Sequence, residues 1–539
     1  MSKHSRVTLL ILSFFLILCT SHSTTYYVKR FGGSDSHDGL SWVKAFQTIT
    51  KALDESSPGD EIWIAEGTYY EWAELSIPEN VALYGGFEGI ENHISERDIE
   101  NHQTIIDARK EYRCISNSGL ISGLFIINGN DIDYEAQNGG GVYNTGIISN
   151  CVIHDNRSYE DGGGVYNTGE ISESRLYNND AAGDGGGIFN TGAVSNCKLY
   201  ENYAHSNGGA LYNTGSVSEC LIHDNNAGYG GGAIYNTSSV MSCKLFLNHA
   251  EKGGAIYNDE GTIINCLNYD NYADEAAGAY NNQGVLRNCT FFANHGEEYG
   301  GIFNSTGSEI VNCISWNNEH ADIVGFGDVS YTCFFGGENS GNICADPVFV
   351  STSGDSSEWD LHLKNGSPCI DAGTLTKAPE KDLDGNTRPG EDNKICMGAF
   401  ESPDNHLPSS PIPERLYVSK SGDNSDGESW ATAFTSLISA ISQATRTTSL
   451  KISEIWVAQG VYQEAETISI PVRVMMYGGF SATENKLSER DAVKNKTIID
   501  GEYTRRCVDN EGSMDGFYIR NGHITEITDD GAGILNHYG

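Results

Sequence analysis

The chain has 539 residues, and its 73 acidic against 33 basic side chains give a formal net charge of -40 at pH 7. This charge argues against nucleic acid, and against anionic polysaccharide held by bulk electrostatic attraction, and it makes cations the natural counter-ligands. Beyond the N-terminus no stretch is long and apolar enough to cross a membrane, so we expect no membrane span in this fragment.

The N-terminus predicts a secretory signal peptide over residues 1–23. Three basic side chains at positions 3–6 precede an apolar run at 7–19, and small residues follow it. We therefore expect a secreted protein, or one attached to a bacterial outer membrane or cell surface. A lipid anchor on Cys19 is left open, although Leu18 replaces the small residue expected before such a cysteine.

Residues 24–130 are predicted to form a cap and the first coils of a stacked β structure. Apolar residues at helical spacing predict an amphipathic helix, and strands are expected at 61–65 and 81–84. Such a helix would cover the open end of the stack, which otherwise exposes apolar side chains and unpaired backbone. The helical positions are Trp42, Phe46, Ile49 and Leu53.

Residues 131–344 carry a regular repeat. A tetrad such as Gly-Val-Tyr-Asn at 141–144 recurs in steps of 23 residues, with one step of 22. So short a period is typical of a solenoid, in which no unit buries its apolar face alone. The asparagines that end the tetrads are Asn144, Asn167, Asn190, Asn213, Asn236, Asn258, Asn281 and Asn304.

Within each unit the apolar residues alternate with polar ones over two to four positions, as at Ile148, Cys151 and Ile153. This is strand periodicity, and a unit of about 23 residues is too small for a helical pair. The fold class is therefore predicted to be all-β, a parallel β-helix whose coils lie about 4.8 Å apart.

Stacked coils place like residues on like. The aliphatic residue of each tetrad should fill the interior, and two asparagine columns should form amide ladders at the corners, where asparagine tolerates a left-handed backbone. A glycine pair before each tetrad supplies the tight turn. The second asparagine column is Asn156, Asn179, Asn202, Asn225, Asn248, Asn271, Asn294 and Asn318.

Seven of the 14 cysteines belong to one repeat column. Export favours disulfides, but stacked thiols lie parallel and suit the S–S torsion poorly, and Ser174 occupies one position of the column. We therefore interpret this column as buried free thiols. The better candidates for pairing lie outside it: Cys333, Cys344, Cys369 and Cys396.

After the repeats the sequence predicts an end module at 345–403, which completes a β-helix domain of residues 24–403, and a proline-rich linker at 404–414. Residues 415–539 then restate the N-terminal region, for example Ser-Glu-Arg-Asp at 488–491 for the same tetrad at 95–98. The second copy has reached only its first repeat tetrad when the sequence stops. The chain is therefore expected to be part of a longer tandem protein.

The glycine turns with asparagine-ended strands resemble the right-handed parallel β-helices of the pectin lyase-like superfamily, and more closely the polymorphic outer membrane protein repeats. Gly-Gly-Ala-Ile at 231–234 and 253–256 and Phe-Phe-Ala-Asn at 291–294 carry the second resemblance. Residues 345–403, with Gly-Ser-Pro-Cys-Ile-Asp-Ala-Gly at 366–373, are similar to the end module of "choice-of-anchor Q" surface proteins. These resemblances imply the fold and export, whereas the superfamily includes both enzymes and proteins without catalysis.

Two groups of acids are candidates for a Ca²⁺ site of the kind that lyases of this superfamily use. Asp161 should lie one coil below Asp184, and Asp274 and Glu275 should lie one coil below Glu297 and Glu298. Carboxylates stacked in this way repel unless a cation or proton lies between them. The alternative is a solvated edge of the turns, where water and salt screen the repulsion. The candidate metal ligands are Asp161, Asp184, Asp274, Glu275, Glu297 and Glu298.

The aromatic residue of each tetrad should face outward, and such a column could stack on sugar rings. The alternative is an aromatic column that only covers the flank of the coils. The candidate ligand-binding residues are Tyr143, Tyr166, Phe189, Tyr212, Tyr235 and Tyr257, continued by Tyr280 and Phe303.

Together these patterns predict a structural or adhesive scaffold that binds polysaccharide or cell-surface glycans. The alternative is a Ca²⁺-assisted polysaccharide lyase or glycoside hydrolase. No repeat departs clearly from the pattern as a catalytic coil would, and no catalytic residue can be named from the sequence, so the scaffold is the favoured interpretation.

Overall fold

The computed structural model of the protein describes residues 23–131, 138–390, 393–402, 415–425, 427–444, 453–464, 467–471, 474–510, 513–523 and 533–536. Residues 1–22 of the predicted signal peptide and the predicted linker lie outside these ranges, so the predictions made for them remain predictions. No helix among the described residues is long and apolar enough to cross a membrane.

The described chain is an all-β parallel β-helix, as predicted. Each coil contributes strands to stacked parallel sheets, and the strands of successive coils pair in register, for example Val142, Tyr143 and Asn144 with Val165, Tyr166 and Asn167. Four sheets run along residues 25–330, and we name them in the order of the first strand of each.

The first sheet has 13 strands. They are Thr25–Val28, Glu61–Ala65, Ala82–Phe87, Leu120–Ser122, Ile147–Ser149, Glu170–Ser172, Ala193–Ser195, Ser216–Ser218, Ser239–Met241, Thr262–Ile264, Val285–Arg287, Glu309–Val311 and Asp328–Ser330. The second sheet has 11 strands. They are Gly67–Tyr69, Thr104–Asp107, Leu124–Ile127, Val152–His154, Arg175–Tyr177, Lys198–Tyr200, Leu221–His223, Lys244–Phe246, Leu267–Tyr269, Thr290–Phe292 and Ile314–Trp316.

The third sheet, which contains the tetrads, also has 11 strands. They are Leu75–Ile77, Ile115–Asn117, Val142–Asn144, Val165–Asn167, Ile188–Asn190, Leu211–Asn213, Ile234–Asn236, Ile256–Asp259, Ala279–Asn282, Ile302–Asn304 and Ile323–Gly325. The fourth sheet has eight short strands. They are Asn130–Asp131, Arg157–Ser158, Asp180–Ala181, Tyr203–Ala204, Asn226–Ala227, His249–Lys252, Tyr272–Glu275 and His295–Tyr299.

Residues 415–536 repeat the start of this architecture with sheets of four, three and three strands. Their strands are Arg415–Val418, Ser453–Ala458, Gly460–Tyr462, Ile468–Ile470, Val474–Phe480, Thr497–Asp500, Val508–Asn510, Ser513–Asp515, Phe517–Arg520 and Ile534–Asn536. The described helices are α1 (Ile49–Glu55), α2 (Leu437–Ala444) and the 3-10 turns Trp42–Lys44, Ile94–Glu96, Ser356–Glu358 and Leu487–Glu489.

Helix α1 is shorter than the sequence pattern predicted. It includes Ile49 and Leu53 but neither Trp42 nor Phe46, because the backbone of Phe46 pairs with the first strand through hydrogen bonds of 2.8 and 2.9 Å to Tyr27 and Lys29. Thr48 accepts a hydrogen bond from the backbone of Lys51 and caps the helix, which therefore starts at Ile49, about two turns after Trp42. The buried face of α1 still packs on the first coils.

Two ladders of side-chain amides run along the coil corners, as predicted. In the first, each Nδ2 donates to Oδ1 of the asparagine one coil on, at 2.7–2.9 Å from Asn117 to Asn304. In the second the distances are 2.9–3.0 Å from Asn156 to Asn318, where the carboxylate of Asp322 ends the ladder. These amides are buried, and the bonds along the ladders satisfy their polar atoms inside the protein, except for Oδ1 of Asn117 at the start of the first ladder, which has no partner in the described chain.

At the second amide ladder, the left-handed backbone that we expected at the asparagines lies one residue earlier. Asp155, Asn178 and Glu201 have φ of 57°, 52° and 53°, each directly before a ladder asparagine. Glycine is needed before the tetrads: Gly185 has φ of 69°, and a Cβ on Gly186 would lie 2.4 Å from the carbonyl oxygen of Gly209. The tight turn therefore requires both glycines.

The cysteine column consists of buried free thiols in the structure. Each thiol donates to the carbonyl two residues earlier, for example Cys197 to Ser195 at 3.2 Å, and Ser174 makes the same bond to Ser172 at 2.7 Å. Serine therefore replaces cysteine without disturbing the coil. Cys333, Cys344, Cys369 and Cys396 are also free thiols in the structure.

The end module packs against the side of the coils. Its antiparallel strands Phe349–Ser351 and Asp360–Leu363 belong to a core that covers the outer face of the second sheet at Phe246, Tyr269 and Phe292. Arg388 donates to Asn265 at 3.0 Å and pairs with Glu401, both buried. The module thereby closes one flank of the last coils.

One interior position breaks the apolar pattern. Asn268 is fully buried in register between Leu245 and Phe291, and neither polar atom of its side chain has a hydrogen-bond partner. An unpaired buried amide costs about 1–3 kcal/mol. The position is therefore a weak point of the core.

We expect Asn268→Leu to stabilise the protein by about 1–3 kcal/mol, because it removes the unpaired amide and matches the leucine one coil before it. Urea unfolding followed by circular dichroism measures the change. The matched control is Asn271→Leu, which breaks the second amide ladder and should destabilise. An unchanged or lower midpoint for Asn268→Leu would contradict the expectation.

Candidate functional site

The aromatic column of the tetrads forms a continuous ladder on the outer face of the third sheet. The eight rings from Tyr143 to Phe303 are half-buried and stack with centroid distances of 4.6–5.4 Å. Seven pairs make up the run, and six of them are within 14° of parallel. We call this run the tetrad ladder.

Stacking changes what the tetrad ladder can offer a ligand. Because each ring covers the face of the next, sugar rings have access to ring edges and phenol hydroxyls instead of ring faces. Burial raises the pKa of Tyr257 to about 12, with smaller contributions from Tyr280, Tyr229 and Asp259. Burial also raises the pKa of Tyr166 and Tyr212, so these hydroxyls stay protonated and remain donors at neutral pH.

The first acid pair lies in the turn beside this ladder. Asp161 Oδ1 accepts the backbone N–H of Asp184 at 2.9 Å, and Asp184 Oδ1 accepts that of Asn207 at 2.9 Å. Asn138 Oδ1 likewise accepts the backbone N–H of Asp161 at 3.1 Å. The two carboxylates therefore continue a column whose other members are amides, and they border the ring of Tyr212, whose pKa they help to raise.

Burial, offset in part by the N–H of Asp184, raises the pKa of Asp161, and the charges of Asp184 and Glu160 raise it further. This is the signature of stacked carboxylates without a counter-charge. A cation or a proton bound between Asp161 and Asp184 would relieve the repulsion between the two carboxylates. The prediction of a metal site at Asp161 and Asp184 remains a prediction.

The second acid group is arranged differently from the expectation. A register shift after Ala273 pairs Glu275 with Tyr299, so the expected stack of Glu275 on Glu298 is wrong. Lys252 Nζ lies 3.1 Å from Glu275 Oε2 and neutralises it. Asp274, Glu297 and Glu298 are exposed. Across the described ranges, no three His, Cys, Asp or Glu side chains are grouped so as to hold a metal ion.

Sequence reasoning missed a second aromatic ladder on the outer face of the second sheet. His154, Tyr177, Tyr200, His223 and Phe246 stack at 4.5–5.3 Å. The ladder continues to Tyr269, where the end module covers it. The sequence shows this ladder as ring-bearing residues 23 positions apart, but the two histidines among them made the aromatic column hard to recognise.

The stacked, in-register coils and the 23-residue repeat define the chain as a parallel β-helix protein. The family DUF1565, described as proteins of unknown function, matches residues 31–323, more than half of the chain. The protein belongs to this family.

Solved structures similar to the chain include XylC, determined with xylose, and the pectate lyase Pel9A. XylC is 10% identical with a TM-score of 0.44, and the match covers 70% of this chain and 98% of XylC. Pel9A is 16% identical with a TM-score of 0.40, and the match covers 71% and 97%. A search of curated proteins found no match. Likeness at this level supports no conclusion about activity.

We expect Asp161→Asn to raise the melting temperature at neutral pH, because amides already occupy this column at Asn138 and Asn207. Since the folded-state pKa of Asp161 is raised, the wild type loses stability as pH rises through that pKa. The difference between variant and wild type should vanish below the pKa of an unfolded aspartate, about 3.9.

Melting curves from pH 3 to 8 measure this, and a difference that persists in acid would contradict it. The same curves with Ca²⁺ and with chelator test the metal prediction. Stabilisation of the wild type by Ca²⁺ that Asp161→Asn abolishes would place a metal at this pair.

Proposed function

We propose that the protein is an exported scaffold that binds uncharged polysaccharide along the tetrad ladder. The observation that supports this most directly is the row of tyrosine hydroxyls on the tetrad ladder, interrupted only at Phe189 between Tyr143 and Tyr257, beside the Asp161 and Asp184 carboxylates. A row of protonated donors next to carboxylate acceptors suits the hydroxyl groups of a repeating sugar chain.

Charge sets the class of glycan. A net charge of -40 repels polyanions, so the proposed ligand is neutral. Each hydroxyl contributes little, and affinity would come from many equivalent contacts along the rod, as in multivalent binding. Uniformity of the coils along the ladder favours binding over cleavage, because catalysis requires one coil that differs from its neighbours.

Export is part of this proposal and rests on the N-terminal sequence, with its basic residues ahead of an apolar run. A protein of this charge, displayed outside the cell, would remain well dispersed and could hold glycans of the cell surface or of the surroundings.

The decisive variant is Tyr166→Phe with Tyr212→Phe. Phenylalanine already stands between them at Phe189, so the stack persists while two hydroxyls are lost. Each lost hydrogen bond is worth about 1 kcal/mol, so affinity for the polysaccharide should fall by roughly ten- to thirty-fold. Affinity electrophoresis in gels that contain neutral xylan, glucomannan or mixed-linkage glucan measures the change.

The matched control is Tyr177→Phe with Tyr200→Phe on the second-sheet ladder. This pair should leave retardation in the gel unchanged. Equal losses in both double variants, or no retardation of the wild type by any neutral polysaccharide, would refute binding along the tetrad ladder.

The competing function is Ca²⁺-assisted cleavage, and the stacked Asp161 and Asp184 carboxylates are the observation that favours it. An assay for reducing ends and unsaturated products, with the protein from Thr24 and with or without Ca²⁺, tests it on neutral and acidic polysaccharides. Products that disappear with chelator and with Asp161→Asn would replace the scaffold proposal by an enzyme.

A further inference from the structure

A groove of about 530 Å³ opens beside the coils where the first sheet meets the second, and no residue of the tetrad ladder lines it. It lies between residues 96–100, in the long loop that joins the first and second sheets, and two turns of the same kind, at 150–152 and around Glu173 and Arg175. The loop belongs to an early coil, and the two turns belong to later coils, so the groove lies between the loop and these turns.

Arg97 lines this groove and forms no ion pair with a carboxylate of the residues that the structure describes. Its guanidinium lies over the ring of Tyr84 at 5.3 Å, and Nη2 donates to Ser122 Oγ at 3.1 Å. Its Nη1 is shielded from solvent and has no hydrogen-bond acceptor in the described chain. Burial lowers the pKa of Arg97, and the groups that oppose this shift are Tyr84 and Cys151, neither of them a carboxylate.

In the second copy, the equivalent arginine has the carboxylate partner that Arg97 lacks among the described residues. Arg490 occupies the same place in the repeated loop and lies over Tyr477 at 5.2 Å, but it pairs with the carboxylate of Asp515. Asp515 is in register with Tyr477 as Ser122 is with Tyr84, so the two are equivalent positions. The second copy therefore neutralises its arginine internally, and the first copy does not.

A partly buried cation without a counter-ion is costly, so a retained one points to an external anion. The other arginine in the lining does not compete, because Arg175 Nη2 lies 2.8 Å from Glu100 Oε1. The same lining also holds Glu96, Asp98 and Glu173. This excess of carboxylates around one unpaired guanidinium disfavours a polyanion and favours a ligand with a single negative charge.

We propose that the groove is a binding site for a small ligand that carries one carboxylate. Arg97 would pair with this carboxylate as Arg490 pairs with Asp515 in the second copy. A planar carboxylate matches the donor fork of a guanidinium. Such a carboxylate could belong to a free amino acid or to the C-terminus of a peptide. The site does not depend on the proposed polysaccharide function.

Isothermal titration calorimetry on the protein from Thr24 tests this with three probes. Glycine stands for a free amino acid, N-acetylglycine for a peptide C-terminus, and succinate for a ligand with two negative charges. We expect one or both of the monocarboxylates to bind and succinate to bind more weakly. Glycine binding alone indicates the amino acid, and N-acetylglycine binding alone indicates the peptide.

Two variants locate the site. Arg97→Gln should lower the affinity by about tenfold or more, whereas Arg490→Gln, the matched control in the second copy, should leave it unchanged. Ser122→Asp supplies the internal partner that the second copy has, so it should abolish binding in a protein at least as stable as the wild type.

The proposal is overturned if none of the three probes binds the wild type, if Arg97→Gln binds as well as the wild type, or if succinate binds more tightly than both monocarboxylates. Should Ser122→Asp fail to fold, the comparison of Arg97→Gln with Arg490→Gln still decides the matter.

Discussion

The two asparagine ladders are the constraint on which the rest of the molecule depends. Each amide donates to the next coil and accepts from the one before, at 2.7–3.0 Å over eight or more coils. Because every bond needs the same residue at the same height, the coils cannot slip in register without leaving buried amides unpaired. The ladders thereby fix the alignment of every other column, including the thiols, the aromatic rings and the turn carboxylates.

That alignment limits what the surface can do. Identical side chains stacked one coil apart cover each other's faces, so aromatic columns present edges and hydroxyls. Burial, together with the charge of the carboxylate one coil on, raises the pKa of Asp161. A uniform column suits extended, repetitive ligands. A site for a compact ligand has to arise where the repetition is interrupted, as under the loop that carries Arg97.

The sequence was sufficient for the fold because the 23-residue period and its asparagines record contacts between coils directly. It was also sufficient to place the tetrad ladder, since neighbours in the column are neighbours in space. The sequence-based prediction failed where contacts do not follow the 23-residue repeat. The backbone pairing of Phe46 with the first strand shortened helix α1, and the shift after Ala273 moved Glu275 away from Glu298. The groove could not be predicted from the sequence, because it depends on how one irregular loop packs against later coils.

The tandem copies make such interruptions interpretable. In a single β-helix, an unpaired guanidinium could be regarded as an accident of one loop. Here the Ser-Glu-Arg-Asp loop occurs twice, with an equivalent arginine over an equivalent tyrosine, whereas the residue opposite is Ser122 in one copy and Asp515 in the other. Since pairing such a cation internally is the less costly arrangement, the lack of an internal partner among the described residues of the first copy indicates a role for the partly buried charge of Arg97. Repetition therefore provides the reference state against which a functional departure can be recognised.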